Sequence, residues 1–290
     1  MEGIAERLTT ADGRTLAYRR LGSGPTLVCH PGGPGFSSLY LSNLGGLDQE
    51  LELVLLDPRG TGGSDHAHDP GAYQIDHYAD DVEELREHLG LDRIRLLGHS
   101  HGGVAAVAYA ARHPERVERL ILASSLARFG PEQASAMEAA MEARASQPWY
   151  DDAREAIDTE LRGEFTTGRE LSDLLQRMFP FYFAAYGEEE QAYVGTLADE
   201  ELCVDATRLW EREIFEQFDL RPLLGRLTMP TLVITGSEDF ITGPRAAEDF
   251  AAIPGAESVI LDGPGHMIFV EAPDRFREAV LSFLGVEAAA

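Results

Sequence analysis

Residues 94–111 read Ile94-Arg95-Leu96-Leu97-Gly98-His99-Ser100-His101-Gly102-Gly103-Val104-Ala105-Ala106-Val107-Ala108-Tyr109-Ala110-Ala111. An apolar run, a serine framed by glycines and an alanine-rich run predict a strand, a sharp turn and a helix, with Ser100 at the apex. Small residues at Gly98 and Gly102 suit a turn that strains the serine backbone, because larger side chains two positions away on either side would collide. Ser100 would then expose its hydroxyl at the N-terminal end of a helix. A glycine-rich turn with a helix-capping serine has the same spelling, so the rest of the chain must decide between the two.

Upstream, 4–9 and 14–19 read as a hairpin about Ala11-Asp12-Gly13. Residues 26–29, 52–56 and 93–97 are short apolar runs ending in glycine-rich turns, and 78–89 is amphipathic between two of them. Downstream, 120–123 gives a sixth strand. From 128 to 227 the periodicity is helical, with helices expected at 133–144, 150–161 and 170–178, punctuated by Pro148, Gly163 and Pro180. Strands then return at 231–235 and 258–261, with helices at 244–253 and 272–284. The alternation predicts an α/β fold: a mostly parallel sheet of about eight strands with an N-terminal hairpin, helices on both faces, and function at the C-terminal strand ends. Residues 1–127 and 228–290 are expected to form the core domain, with 128–227 as a helical cap inserted after the sixth strand.

The 290 residues are 44% hydrophobic, enough for a large core. Against 50 acidic residues stand 24 basic ones, a net charge of −26, and every basic residue is arginine. Such a surface disfavours nucleic acid and anionic membrane as partners and favours cationic ligands. The missing lysine excludes a Schiff-base lysine and a Ser-Lys dyad. No apolar stretch approaches the roughly 20 residues that span a bilayer, and the Met1 to Arg7 start lacks a basic segment followed by an apolar one, so a cytoplasmic location is expected. Cys29 and Cys203 read as free thiols, and neither a metal nor another cofactor is implied.

A serine hydroxyl needs a base oriented by a carboxylate. Two loops at strand ends supply them: Gly236-Ser237-Glu238-Asp239 follows 231–235, and Asp262-Gly263-Pro264-Gly265-His266 follows 258–261. The order Ser, Asp, His suits this architecture. Among the nine histidines, His66, His68, His77, His88 and His113 fall in expected loops or on polar helix faces, whereas His266 follows a Gly-Pro-Gly turn. The stretch His30-Pro31-Gly32-Gly33-Pro34-Gly35 offers bare backbone amides, and the N–H groups of Gly33 and His101 would make a two-donor oxyanion hole. A phosphate loop would require a following Gly-Lys-Ser/Thr, which is missing. His30 is expected to brace the loop.

In sequence order, residues 30–35, Asp57-Pro58-Arg59-Gly60-Thr61-Gly62-Gly63-Ser64, residues 98–102, Asp239 and His266 together resemble the α/β-hydrolase superfamily. Gly32-Gly33-Pro34-Gly35 is similar to an element of its proline iminopeptidase branch, although there a histidine directly precedes the glycines and here Pro31 intervenes. The resemblance implies an α/β-hydrolase fold and a metal-independent serine hydrolase. Ser100 would be its nucleophile, His266 its base and then acid, and Asp239 rather than Glu238 the orienting acid. It further implies an aminopeptidase that releases N-terminal proline or another small residue, with acidic cap residues holding the substrate ammonium. Glu211 and Glu213 are the candidates, a solvated helix face being the alternative. Phe179, Phe181, Tyr182, Phe183 and Tyr186 either line a specificity pocket or pack the cap on the core.

Other activities share these motifs. A carboxylesterase or lactonase acting on small apolar acyl substrates follows closely, then a carbon–carbon bond hydrolase or a cofactor-free haloperoxidase-like enzyme. A serine at the elbow counts against dehalogenases and epoxide hydrolases. A non-catalytic ligand receptor would keep the pocket and lose turnover. The partner expected is a small molecule or short peptide, and the sequence leaves the oligomeric state open.

Overall fold

Strands buried on both faces form the middle of one eight-stranded sheet. The computed structural model describes residues 4–287; the extreme N-terminal residues and the terminal alanines lie outside them. β1 (Ile4–Thr9) and β2 (Thr15–Gly22) form the antiparallel hairpin, and β2 also runs antiparallel to β4 (Glu52–Asp57). β3 (Thr26–His30), β5 (Ile94–His99), β6 (Val117–Ala123), β7 (Thr231–Gly236) and β8 (Glu257–Leu261) continue the sheet in parallel, in the order β1-β2-β4-β3-β5-β6-β7-β8.

Strand alternation divides the apolar side chains between two cores. Leu27, Leu53, Leu55, Leu97 and Ile121 face one, and Val28, Val54, Leu56, Leu96 and Leu120 the other. Helix α1 (Ile75–His88) lies on the second face beside α2 (His101–Arg112). All of α2 from His101 to Ala110 is buried, as an alanine-rich, all-round apolar helix requires.

Between β6 and β7 the chain makes a helical excursion: α3 (Pro131–Glu142), α4 (Tyr150–Leu161), α5 (Gly168–Met178), α6 (Glu188–Gly195) and α7 (Val204–Leu209), followed by the π-helical turn Trp210–Ile214. A capping box starts α5, where the Thr167 hydroxyl accepts the Glu170 amide. The two ends of the excursion meet at an isolated bridge between Arg128 and Asp219. The excursion has no core of its own, since Met141 to Leu202 join the first core and Cys203 to Leu227 the second. The segment expected as one helix at 244–253 divides into Pro244–Ala247 and the 3-10 helix Glu248–Ala252. Among the described residues, no helix is long and apolar enough to cross a membrane.

Candidate active site

Ser100 stands between β5 and α2 with φ 55° and ψ −124°, a strained conformation for a residue with a side chain. The glycines explain how it is tolerated. A Cβ on Gly98 would lie 2.3 Å from the Gly102 carbonyl oxygen, and one on Gly102 would lie 2.2 Å from that of His30. The turn is held by the Ser100 amide donating to the Ala123 carbonyl (2.9 Å) and by the Ser125 hydroxyl donating to the Ser100 carbonyl (2.8 Å). Among the described residues Ser100 Oγ makes no hydrogen bond, and Ser100 lines a cavity of about 130 Å³.

His266 lines the same cavity, and its Nδ1 lies 2.9 Å from Asp239 Oδ2. Asp239 is fully enclosed. The amides of Ile241 (3.0 Å) and Thr242 (2.9 Å) donate to its Oδ1, and the Thr242 hydroxyl donates to Oδ2 at 2.6 Å. Burial by itself would raise the Asp239 pKa, but the His266 charge and hydrogen bond, with the Thr242 donors, outweigh it and hold the pKa at about 2. An ionised Asp239 only accepts, so His266 carries its proton on Nδ1 and leaves the Nε2 lone pair free. Glu238 is exposed. Sequence reasoning passed over Thr242, whose role as a clamp on Asp239 is set by loop geometry.

The Gly32 amide is taken by the Tyr40 hydroxyl at 2.5 Å, whereas the Gly33 and His101 amides donate to nothing among the described residues, and both residues line the cavity. Gly33 adopts φ 110°, outside the range of ordinary side-chain-bearing residues. His30 is fully buried and donates from Nδ1 to the Pro31 carbonyl (2.8 Å), with burial pushing its pKa down to about 4.

Most of the cavity wall is apolar: Leu126, Met137, Ile157, Leu171, Leu175 and Met178 are typical. Two carboxylates interrupt it, Glu160 and Glu211, both partly exposed toward the cavity and with no hydrogen-bond partner among the described residues. Burial pushes Glu160 up to about 7. Burial, and then the charges of Glu160 and Glu216, push Glu211 up to about 8. Glu213 is exposed and is not part of the wall. The π-helical turn sets this difference, tucking Trp210 edge-on against the His101 ring (4.6 Å) and turning Glu211 inward. Glu160 was missed, although it extends the buried stripe Ala153-Ala156-Ile157 of α4 by one turn. Of the aromatic candidates, Phe179 and Tyr182 line the cavity, while Phe181 stacks on Phe240 and Phe183 packs in the core. Among the described residues no three or more His, Cys, Asp or Glu side chains are grouped to hold a metal ion.

The raised carboxyl values set a sign for stability. In the folded chain both glutamates keep protons that the unfolded chain releases near 4.5, so they cost stability progressively as pH rises from there through about 8. Glu211→Gln is expected to raise the melting temperature at pH 8.5 by about 2–4 °C. At pH 4.5 the same variant should melt with wild type, a comparison made by thermal denaturation at the two values.

The excursion also holds the loops that carry the site. The His266 amide donates to the Tyr182 carbonyl (2.8 Å), and the Glu271 carboxylate accepts the Ala184 and Gly265 amides, each at 2.7 Å. On the other side the Cys203 amide donates to the Gly35 carbonyl (3.0 Å) and the Thr207 hydroxyl to that of Pro34 (3.1 Å). Glu200 accepts the Ser37 amide at 2.7 Å.

The α/β-hydrolase fold family matches residues 25–273. A proline iminopeptidase from Saccharolobus solfataricus is 28% identical, over 92% of this chain and 87% of the relative. Among solved structures, a hydrolase from Pseudomonas aeruginosa PA01 is 30% identical with a TM-score of 0.69, over 98% of this chain and 99% of that one. The enol-lactonase from Burkholderia xenovorans LB400 is 27% identical with a TM-score of 0.72, over 97% and 100%. The chain therefore belongs to the α/β-hydrolase fold family, and within it resembles the proline iminopeptidases.

Proposed function

We propose that the protein is a serine aminopeptidase that releases N-terminal proline, or another small apolar residue, from short peptides. The observation that carries this reading is the Glu160–Glu211 pair inside an otherwise apolar cavity shared with Ser100 and His266. Two unpaired carboxylates at such a place suit a substrate ammonium, and among the described residues no cationic side chain pairs with either. Residues 128–227 act as the cap that supplies this subsite to the core formed by 1–127 and 228–290.

Ser100 Oγ attacks the scissile carbonyl as His266 Nε2 takes its proton, and Asp239 stabilises the imidazolium. The oxyanion forms against the Gly33 and His101 amides. Collapse breaks the C–N bond, His266 returns the proton to the leaving amine, and a water activated by the same imidazole releases the acid.

The test is a paired assay with proline p-nitroanilide and p-nitrophenyl butyrate. Glu160→Gln and Glu211→Gln should each raise KM for the prolyl amide about 10- to 100-fold, the worth of a hydrogen bond to a charged group, and leave the ester unchanged. In the wild type, KM for the amide should fall as pH rises through about 7 to 8, because the carboxyls must lose protons to receive a cation. An ester-only activity assigns the protein instead to esterase or lactonase action. The aliphatic wall from Leu126 to Met178 and the likeness to the enol-lactonase favour that second reading.

A further inference from the structure

Two buried side chains at the cavity wall, Tyr40 and His99, have no part in the chemistry above, yet each end of the chain they form lands on a loop that does. The Gly32 amide donates to Tyr40 Oη (2.5 Å), Tyr40 Oη lies 2.8 Å from His99 Nδ1, and His99 Nε2 lies 3.2 Å from the His266 carbonyl oxygen. A carbonyl only accepts, so His99 Nε2 carries the hydrogen, Nδ1 is the acceptor, and the Tyr40 hydroxyl donates to it. The Tyr40 oxygen is left to receive the Gly32 amide. Every direction in the chain is fixed by its last member.

We propose that Tyr40 and His99 are positioning residues, a one-way polar strut tying the oxyanion loop to the main chain of His266. By occupying the Gly32 amide, the strut leaves the next one, Gly33, to face the oxyanion. Packing fixes its place: a Cβ on Gly32 would lie 2.7 Å from Ser100 Cβ, so the loop has no room to shift toward the nucleophile. The His99 ring sits edge-on to that of His266 (4.9 Å) and of Phe269 (5.2 Å), and the Tyr193 hydroxyl donates to the Tyr40 carbonyl. His99 is fully buried and Tyr40 almost so. Burial, and then the charge of His266, push the His99 pKa down to about 3, so the donor–acceptor order survives while His266 cycles through its charged form. Apolar side chains would fill the same volume without leaving polar atoms to satisfy, so packing alone does not account for the pair.

The inference rests on the serine-hydrolase reading but not on the substrate. The readout is therefore the second-order rate of Ser100 phosphonylation by a fluorophosphonate, for wild type, Tyr40→Phe, His99→Leu, His99→Gln and Tyr40→Phe/His99→Leu, with melting temperatures alongside. Each of Tyr40→Phe and His99→Leu should slow labelling about 10- to 100-fold by stranding a buried partner. The double variant should be no slower than the slower single within about threefold, because both break one chain. His99→Gln keeps an N–H for the His266 carbonyl and should recover at least about threefold over His99→Leu. For p-nitrophenyl butyrate the loss should fall on kcat, with KM within about twofold. A reactive wild type with folded single variants that label at its rate, or with losses that multiply in the double, overturns the strut alone. An unreactive wild type overturns the serine-hydrolase reading and the strut together.

Discussion

Ser100→Ala is expected to reduce turnover by roughly a millionfold, the loss seen when a nucleophile of this kind is removed from an otherwise intact site. The size follows from what remains. In the proposed mechanism no acyl-enzyme would form without Oγ, and the His266 imidazole and the Gly33 and His101 amides could only assist direct attack by water on a bound substrate. Ligand binding should persist, because Glu160, Glu211 and the aliphatic wall are untouched. The measurement is kcat for the better of the two chromogenic substrates, together with the Kd of a product or inhibitor. Turnover that survives the substitution would assign the reaction to another group.

Asp239→Asn should cost about 10⁴-fold in kcat while leaving the fold in place. The reason lies in the donors around the carboxylate. The Ile241 and Thr242 amides claim Oδ1, so an asparagine would keep its carbonyl oxygen there and present its NH₂ to His266 Nδ1. A donor at that position forces Nδ1 to accept, which moves the imidazole hydrogen to Nε2. The base then meets the serine with a hydrogen instead of a lone pair. Steady-state kinetics with a thermal melt as the folding control checks this, and a loss under tenfold would show that Asp239 does not set the tautomer.

What the sequence made legible divides along physical lines. Strand positions were accessible because runs such as 231–235 are buried on both faces and bounded by glycine, so period and punctuation agree; α4 falls on 150–161 as its apolar spacing requires. The 244–253 segment failed as a single helix because its Glu248–Ala252 half tightens into a 3-10 helix, which shares the same apolar spacing over so short a length. Ser100, Asp239 and His266 stood out because each lies just past a strand in a glycine-marked loop. Glu160 did not, because a glutamate in a helix spells the same whether it faces water or a cavity. Glu211 and Glu213 are two residues apart, and only the π-helical turn decides which of them looks inward. Tyr40 and His99 were invisible for a different reason: they act through contacts between segments far apart in the chain.

The hydrogen bonds by which the helical excursion grips both loops of the candidate site bear on how this protein can diversify. Tyr182, Cys203 and Thr207 hold main-chain atoms of the very loops that carry Gly33 and His266, and Ala184 reaches the second loop through the Glu271 carboxylate, which also accepts the Gly265 amide. On the proposed function, recognition and reactivity would therefore be inherited as one package. A chimera that borrows this region from a relative to acquire a new preference also replaces the scaffolding under the old reaction, so new specificities are reached more readily by changing wall residues singly than by exchanging the whole segment.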